Sequence, residues 1–158
     1  MDFKQLKTAT GELGEAYVKE LYIQLSSLDK KASGKLLRSL DYKVLEVLGK
    51  VVLKLEAEGY LKYVNDGRRP GKQPPVSPIK KWIKQKGLKG RDAGGRFIKD
   101  DSFAFLVARS IGKKGIRPTG VIEKTIKIIM RTKSDILAEG MTKDLDIELD
   151  KIIKNIWR

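Results

Sequence analysis

Apolar residues along this chain recur at spacings of three and four in some stretches and of two in others, and these changes of period divide it into elements. Leu13, Tyr17, Leu21, Leu25 and Leu28 recur at helical spacing, so residues 3–28 are expected to form a helix. Asp2 with Gln5 resembles a capping pair at its start, and Gly11 and Gly14 weaken the early turns by about 1 kcal/mol each relative to alanine. Tyr17 and Tyr22 could be binding aromatics, but a leucine-bearing helix favours core or rim packing for both. Lys30-Lys31-Ala32-Ser33-Gly34 ends the helix, and the period shortens. Leu36, Leu40, Tyr42 and Val44 alternate with Arg38, Asp41 and Lys43 as in a half-buried strand. Gly49-Lys50 supplies a two-residue turn, and Val51, Leu53, Leu55 and Ala57 form a second alternating run. A β-hairpin is the natural reading, with a continuous helix over 40–57 as its competitor.

Tyr60 to Leu88 holds four of the five prolines. Asn65-Asp66-Gly67 and Pro70-Gly71 are turn signals, and Pro74-Pro75 imposes an extended, polyproline-like rod. Ser77 as N-cap and Pro78 at the first helical position start a short helix whose face is Ile79, Trp82 and Ile83, with Gly87 as its C-terminal cap. The expectation is a stiff basic arm anchored by Trp82, the core role of that tryptophan being favoured over a partner pocket. Lys89–Lys99 reads as a mobile basic loop or a hairpin tip. Asp101 or Ser102 caps the next helix, with Phe103, Leu106, Val107 and Ile111 on its apolar face. Arg109 lies off that face, as a salt-bridge former or an interface residue. A proline turn over Gly112–Gly120 follows. Val121, Ile122, Thr125, Ile126, Ile129 and Ile136 then suggest a helix capped by Thr119, although β-branching leaves a strand over 125–131 open. From Thr142, Leu145, Leu149, Ile152, Ile153 and Ile156 mark an amphipathic terminal helix ending at Trp157, with acids early and bases late as its dipole prefers. The sum is a single α+β domain over 1–158: an N-terminal helix, a β-hairpin or small antiparallel sheet, a proline-rich arm and packed helices.

Charge sharpens this picture. The formal net charge is +14, from 34 basic and 20 acidic residues in 158. Residues 67–99 hold 11 basic residues and one acid, Asp92, so 11 − 1 = +10 of that charge lies in about a fifth of the chain. Such a block favours polyanions or an acidic protein surface, against the plainer reading of a solvated loop. With no cysteine and no histidine, disulfides, thiolate chemistry, imidazole bases and the usual zinc sites are excluded. No apolar run reaches bilayer length and the N-terminus has no signal-like segment, so no membrane role is expected. No carboxylate set resembles an acid/base or metal constellation. Asp144, Asp146 and Glu148 lack the turn glycine and distal ligand of a calcium loop. The glycines of 89–99 lack a phosphate-loop ending. An enzyme is not expected, nor a cofactor.

The strings Tyr60…Tyr63-Val64…Asp66-Gly67-Arg68-Arg69-Pro70-Gly71-Lys72…Pro74-Pro75…Ile79…Trp82…Lys86-Gly87-Leu88, Phe103-Ala104-Phe105-Leu106-Val107-Ala108-Arg109-Ser110-Ile111 and Gly115-Ile116-Arg117-Pro118-Thr119-Gly120 resemble the tail-completion, or head–tail joining, proteins of tailed bacteriophages, often labelled virion morphogenesis proteins. Ser33-Gly34-Lys35-Leu36…Ser39-Leu40 also resembles the opening of that family's sheet, so the likeness spans roughly 33–125. It implies a small α+β structural protein of the virion, assembled in the host cytoplasm. The subunit would form a homo-oligomeric ring at the neck, or head–tail connector, and join portal or adaptor proteins to the tail. Arg68, Arg69, Lys72, Arg91, Arg96, Arg109 and Arg117 are the interface candidates, facing a partner or genomic DNA in the channel, with Trp82 as arm anchor. The alternative is a nucleic-acid-binding protein using loop 67–99. No helix-turn-helix, zinc or RNA-module pattern accompanies its charge.

Overall fold

A computed structural model describes residues 3–28 and 34–156 as an α+β chain. Its elements are α1 (Lys4–Ser27), α2 (Lys35–Arg38), β1 (Asp41–Val47), β2 (Lys50–Glu56), α3 (Leu61–Asp66), α4 (Val76–Lys86), α5 (Asp100–Lys114) and α6 (Val121–Ile156). Two compact units contain them: α1, α2, the hairpin and α6 in one, and residues 59–120 in the other. The Asp2 cap, the helix break at 30–33 and Trp157 lie outside the described residues. Among the described residues, no helix is long and apolar enough to cross a membrane.

In the first unit, α1 buries Leu13, Tyr17, Leu21 and Leu25, and it packs along α6. The two run antiparallel: Ala9 lies at Gly140, and Tyr17 feels the charge of Glu123. Residues 121–156 form one helix of 36 residues, not the two segments expected, and no strand forms over 125–131. At Gly140 the two backbones come close, and an added Cβ would lie 2.7 Å from Ala9 Cβ and 3.1 Å from the Gln5 carbonyl. One turn later Asp144, only 3% exposed, accepts the backbone N–H groups of Gln5 at 3.0 Å and Leu6 at 2.8 Å. Phe3, at the N-cap of α1, offers no side-chain bond, so Asp144 satisfies donors that the helix start leaves orphaned. The acid therefore sits mid-helix in α6 and complements the dipole of α1, not that of its own helix.

The hairpin forms, and the competing helix over 40–57 does not. Its first strand starts later than expected, because Leu36 and Leu37 are buried from a short helix instead. Val47 pairs with Lys50, which places Leu48 and Gly49 at the turn, one residue before the expected pair. Both have positive φ, 52° and 71°, as a type I′ turn requires. Lys43 and Lys54 stand directly opposite each other, a repulsive pairing relieved by Glu56, which reaches them at 2.8 and 3.2 Å. The hydrogen bonds from Lys43 and Lys54 hold the Glu56 carboxyl below the usual carboxylate range.

In the second unit, α4 packs on α5 through Ile79 and Ile83, which meet Ala104 and Ala108. Val76, Phe103, Val107 and Ile111 close the edges of this core. Leu106, expected on the buried face of α5, is 50% exposed. The small residues Ala104, Ala108 and Gly112 take its place, since they let backbones approach. Pro75 occupies the N-cap position of α4, so Ser77 and Pro78 fall within the first turn. Gly87 closes the helix in the left-handed region, with Gly87 N–H donating to Lys84 O and Leu88 N–H to Ile83 O. Helix α5 begins at Asp100, and Asp100 and Asp101 favour its N-terminus by charge without a side-chain cap bond. The Thr119 hydroxyl donates to the Val64 carbonyl at 2.7 Å.

Candidate functional site

Backbone hydrogen bonds tie the start of the arm to residues 112–116. After α3, Gly67 N–H donates to Tyr63 O, and the chain turns into an isolated antiparallel bridge between Arg68 and Ile116. Arg68 N–H donates to Ile116 O at 2.9 Å, and Ile116 N–H returns a bond to Arg68 O at 2.8 Å. Gly67 and Gly115 flank this bridge at φ 69° and 71°, each in a conformation open essentially to glycine alone. A Cβ on Gly67 would collide with the Ile116 carbonyl, and one on Gly115 with the Arg68 carbonyl. Gly71 N–H then donates to Gly112 O at 2.8 Å, and Gly112 leaves room for Gln73 to pass 3.1 Å from where a Cβ would stand. Beyond it Pro75 holds a polyproline-like backbone (φ −56°, ψ 138°) into α4.

This lock gathers four of the seven interface candidates. Arg68, Arg69, Lys72 and Arg117 are exposed at or beside the bridge, and the Arg68 guanidinium donates to the Lys72 carbonyl at 2.6 Å. The other three are placed elsewhere in the unit. Residues 90–98 form a small ordered hairpin: Asp92 N–H donates to Arg96 O, Ile98 N–H to Gly90 O, and the Asp92 carboxylate accepts the Arg96 N–H. Arg91 lies over the Phe97 ring at 4.2 Å and donates to Gly95 O at 3.0 Å, so its charge is engaged within its own hairpin. Arg96 is exposed on that hairpin, and Arg109 is exposed on α5. Trp82, the expected anchor, keeps 36% of its surface exposed, while Ile79 and Ile83 are buried more deeply, at 9% and 1%. On the solvent side of α4, Lys80 pairs with Asp101 at 2.5 Å, and Lys81 and Lys84 stay exposed.

Such a surface can hold an anionic partner. Among the described residues, no cluster of three or more acids, histidines or cysteines is placed to hold a metal ion. The other unit carries a feature the sequence pattern concealed. Leu13 and Tyr17 of α1, Tyr42 and Leu53 of the hairpin, and Ile126 and Met130 of α6 line an apolar cleft of about 290 Å³. Burial, with a smaller contribution from Glu123, pushes the Tyr17 phenol above its ordinary value. Periodicity marks these residues as generic core, and the cleft exists because the hairpin leans on α1 and leaves Ile126 and Met130 46% and 48% exposed. No family model matches this chain, and no curated protein or solved structure matches it significantly.

Proposed function

We infer that this chain is a structural virion subunit of a tailed bacteriophage, forming a ring at the neck and joining the connector or portal to the tail. One observation carries the reading. The strings 66–72 and 115–120, which bear the likeness to head–tail joining proteins, lie far apart in sequence and meet in one glycine-flanked bridge. The bridge leaves Arg68, Arg69, Lys72 and Arg117 exposed on a backbone fixed from both sides. A preformed cationic ridge loses little conformational freedom on docking. It suits a subunit that must make the same contact with each neighbour around a ring. Its partners would be acidic surfaces of portal, adaptor or tail proteins, with genomic DNA in the channel as a further contact.

Electron microscopy of lysates from the phage carrying this gene in disabled form tests the reading. Separated heads and tails, or heads that have lost their DNA, support it. Normal tailed particles in normal numbers overturn it and favour nucleic-acid binding by 67–99. That alternative requires affinity that falls steeply with salt, with Arg68→Ala or Arg96→Ala lowering the slope by about one each.

A further inference from the structure

Helix α6 outruns its partner. Asp144 meets the first turn of α1, and α6 continues to Ile156, about 18 Å further at 1.5 Å per residue. On that overhang Leu145, Leu149, Ile152 and Ile153 fall on one helical face and are 43–54% exposed. Asp146 and Glu148 flank this face on either side, with Asp150 beside Asp146. Glu148 pairs with Lys151 at 3.3 Å, so Asp146 and Asp150 are the acids left exposed along the stripe. The other end of the same helix is mainly basic: residues 123–133 contain Lys124, Lys127, Arg131 and Lys133 against one acid, Glu123. The bases surround Ile126 and Met130, the exposed wall of the apolar cleft.

The molecule thus carries an acid-flanked apolar stripe and a base-flanked apolar cleft. A cavity of about 150 Å³ lined by apolar groups already accepts a benzene ring. A cleft of about 290 Å³ therefore has room for more than one branched side chain. The stripe cannot fill its own cleft, because both lie on one continuous helix with roughly 30 Å of rise between them. We propose that the overhang of α6 in one copy docks in the cleft between hairpin and α6 of a second copy, giving a heterologous, head-to-tail contact. Leu149 and Ile152 enter against Tyr42, Leu53, Ile126 and Met130, and Asp146 and Asp150 meet Lys127, Arg131 and Lys133. A contact of this kind repeats from copy to copy and closes into a ring when the rotation allows. The inference rests on these two surfaces and not on the proposed neck role, since the basic arm belongs to the other unit.

The test uses the full chain and two double variants at exposed positions. Leu149→Asp with Ile152→Asp removes the stripe, and Ile126→Glu with Met130→Glu closes the cleft. Sedimentation velocity is expected to show the wild type assembling beyond dimers as concentration rises, and each variant alone as a monomer. An equimolar mixture of the two variants is then expected to give a dimer, because one stripe and one cleft remain intact. Only folded chains can pair in this way, so the dimer also excludes misfolding as the cause of the monomers. If either variant loses helical circular dichroism, Leu149→Gln with Ile152→Gln or Ile126→Gln with Met130→Gln replaces it. A wild type that is monomeric at about 100 μM, where a weak specific interface would be populated, overturns the proposal. So does a folded cleft variant that assembles as the wild type does, which would mean that stripes pair with stripes, or a mixture of folded variants that stays monomeric. A monomeric wild type, together with separated heads and tails when the gene is disabled, would overturn this contact and leave the neck role standing.

Discussion

Asp144→Asn is the most direct probe of how the long helix holds the N-terminal one. The carboxylate is buried to 3% exposure and accepts two backbone N–H groups, from Gln5 and Leu6, 139 and 138 residues away in sequence. Asparagine keeps one acceptor oxygen and turns an NH₂ toward the second donor. That leaves a buried N–H unpaired, at about 1–3 kcal/mol, and removes the favourable charge at the start of α1. A loss of about 2 kcal/mol is expected, and Asp144→Ala, which removes both acceptors, should lose about 3 kcal/mol. In urea, with a slope of about 2 kcal/mol per M, the asparagine variant should unfold about 1 M earlier by circular dichroism. Asp146→Asn, a change of the same kind two residues on at an exposed position, should stay within about 0.5 kcal/mol of wild type. Equal midpoints for the two variants would refute the assignment of Asp144 as the cap of α1.

Gly115→Ala should cost roughly 3 kcal/mol or more, since the new methyl meets the Arg68 carbonyl at a backbone conformation closed to alanine. Limited proteolysis between residues 59 and 120 reads the loss, while Gly59→Ala, with open space around it, should leave the pattern unchanged. Leu48 is the non-glycine residue with positive φ among the described residues and is 95% exposed, so Leu48→Asn should raise stability by about 0.5–1 kcal/mol in thermal unfolding. Ile83→Ala should destabilise by about 3 kcal/mol, measured by urea unfolding, because the side chain is buried between α4 and α5. The raised Tyr17 pKa contributes stability that is complete below the unfolded value of about 10 and is lost as pH climbs through the folded value. Stability should therefore fall more steeply above pH about 10 in the wild type than in Tyr17→Phe, and identical slopes would refute the link.

Large apolar side chains announced themselves in the sequence, and small ones did not. The leucines of α1 and the alternation of Tyr42, Val44, Leu53 and Leu55 predicted the first helix and the hairpin, because both signals are local. The turn slipped by one residue because Leu48 adopts a conformation its side chain disfavours. Ala104, Ala108 and Gly112 carry little hydropathy, yet they form the buried face of α5, while the bulkier Leu106 points outward. Nothing local marks Gly140, because its role depends on Ala9, far away in sequence. For the candidate site, turn chemistry marked the bend at Gly67 and the helix end at Gly87, but charge alone could not show that Arg91 is drawn onto Phe97. Nor could it show that the bridge collects Arg117 beside Arg68. Both depend on pairings across the fold. The cleft stayed hidden for the same reason: its walls come from three elements, and nothing in a single strand or helix records the gap between them.

The manner in which residues 59–120 are closed has a consequence for how such a chain can change over generations. Thr119 and Gly120 both donate N–H bonds to the carbonyl of Asn65, and the Arg68–Ile116 bridge lies just inside them. The segment therefore enters and leaves through one narrow gate, as a guest sequence does when it is inserted into a host loop. A guest fastened at its own neck can lengthen, shorten or be exchanged for another without rethreading its host. Recombination could thus re-equip the same helical frame with arms of different reach and charge.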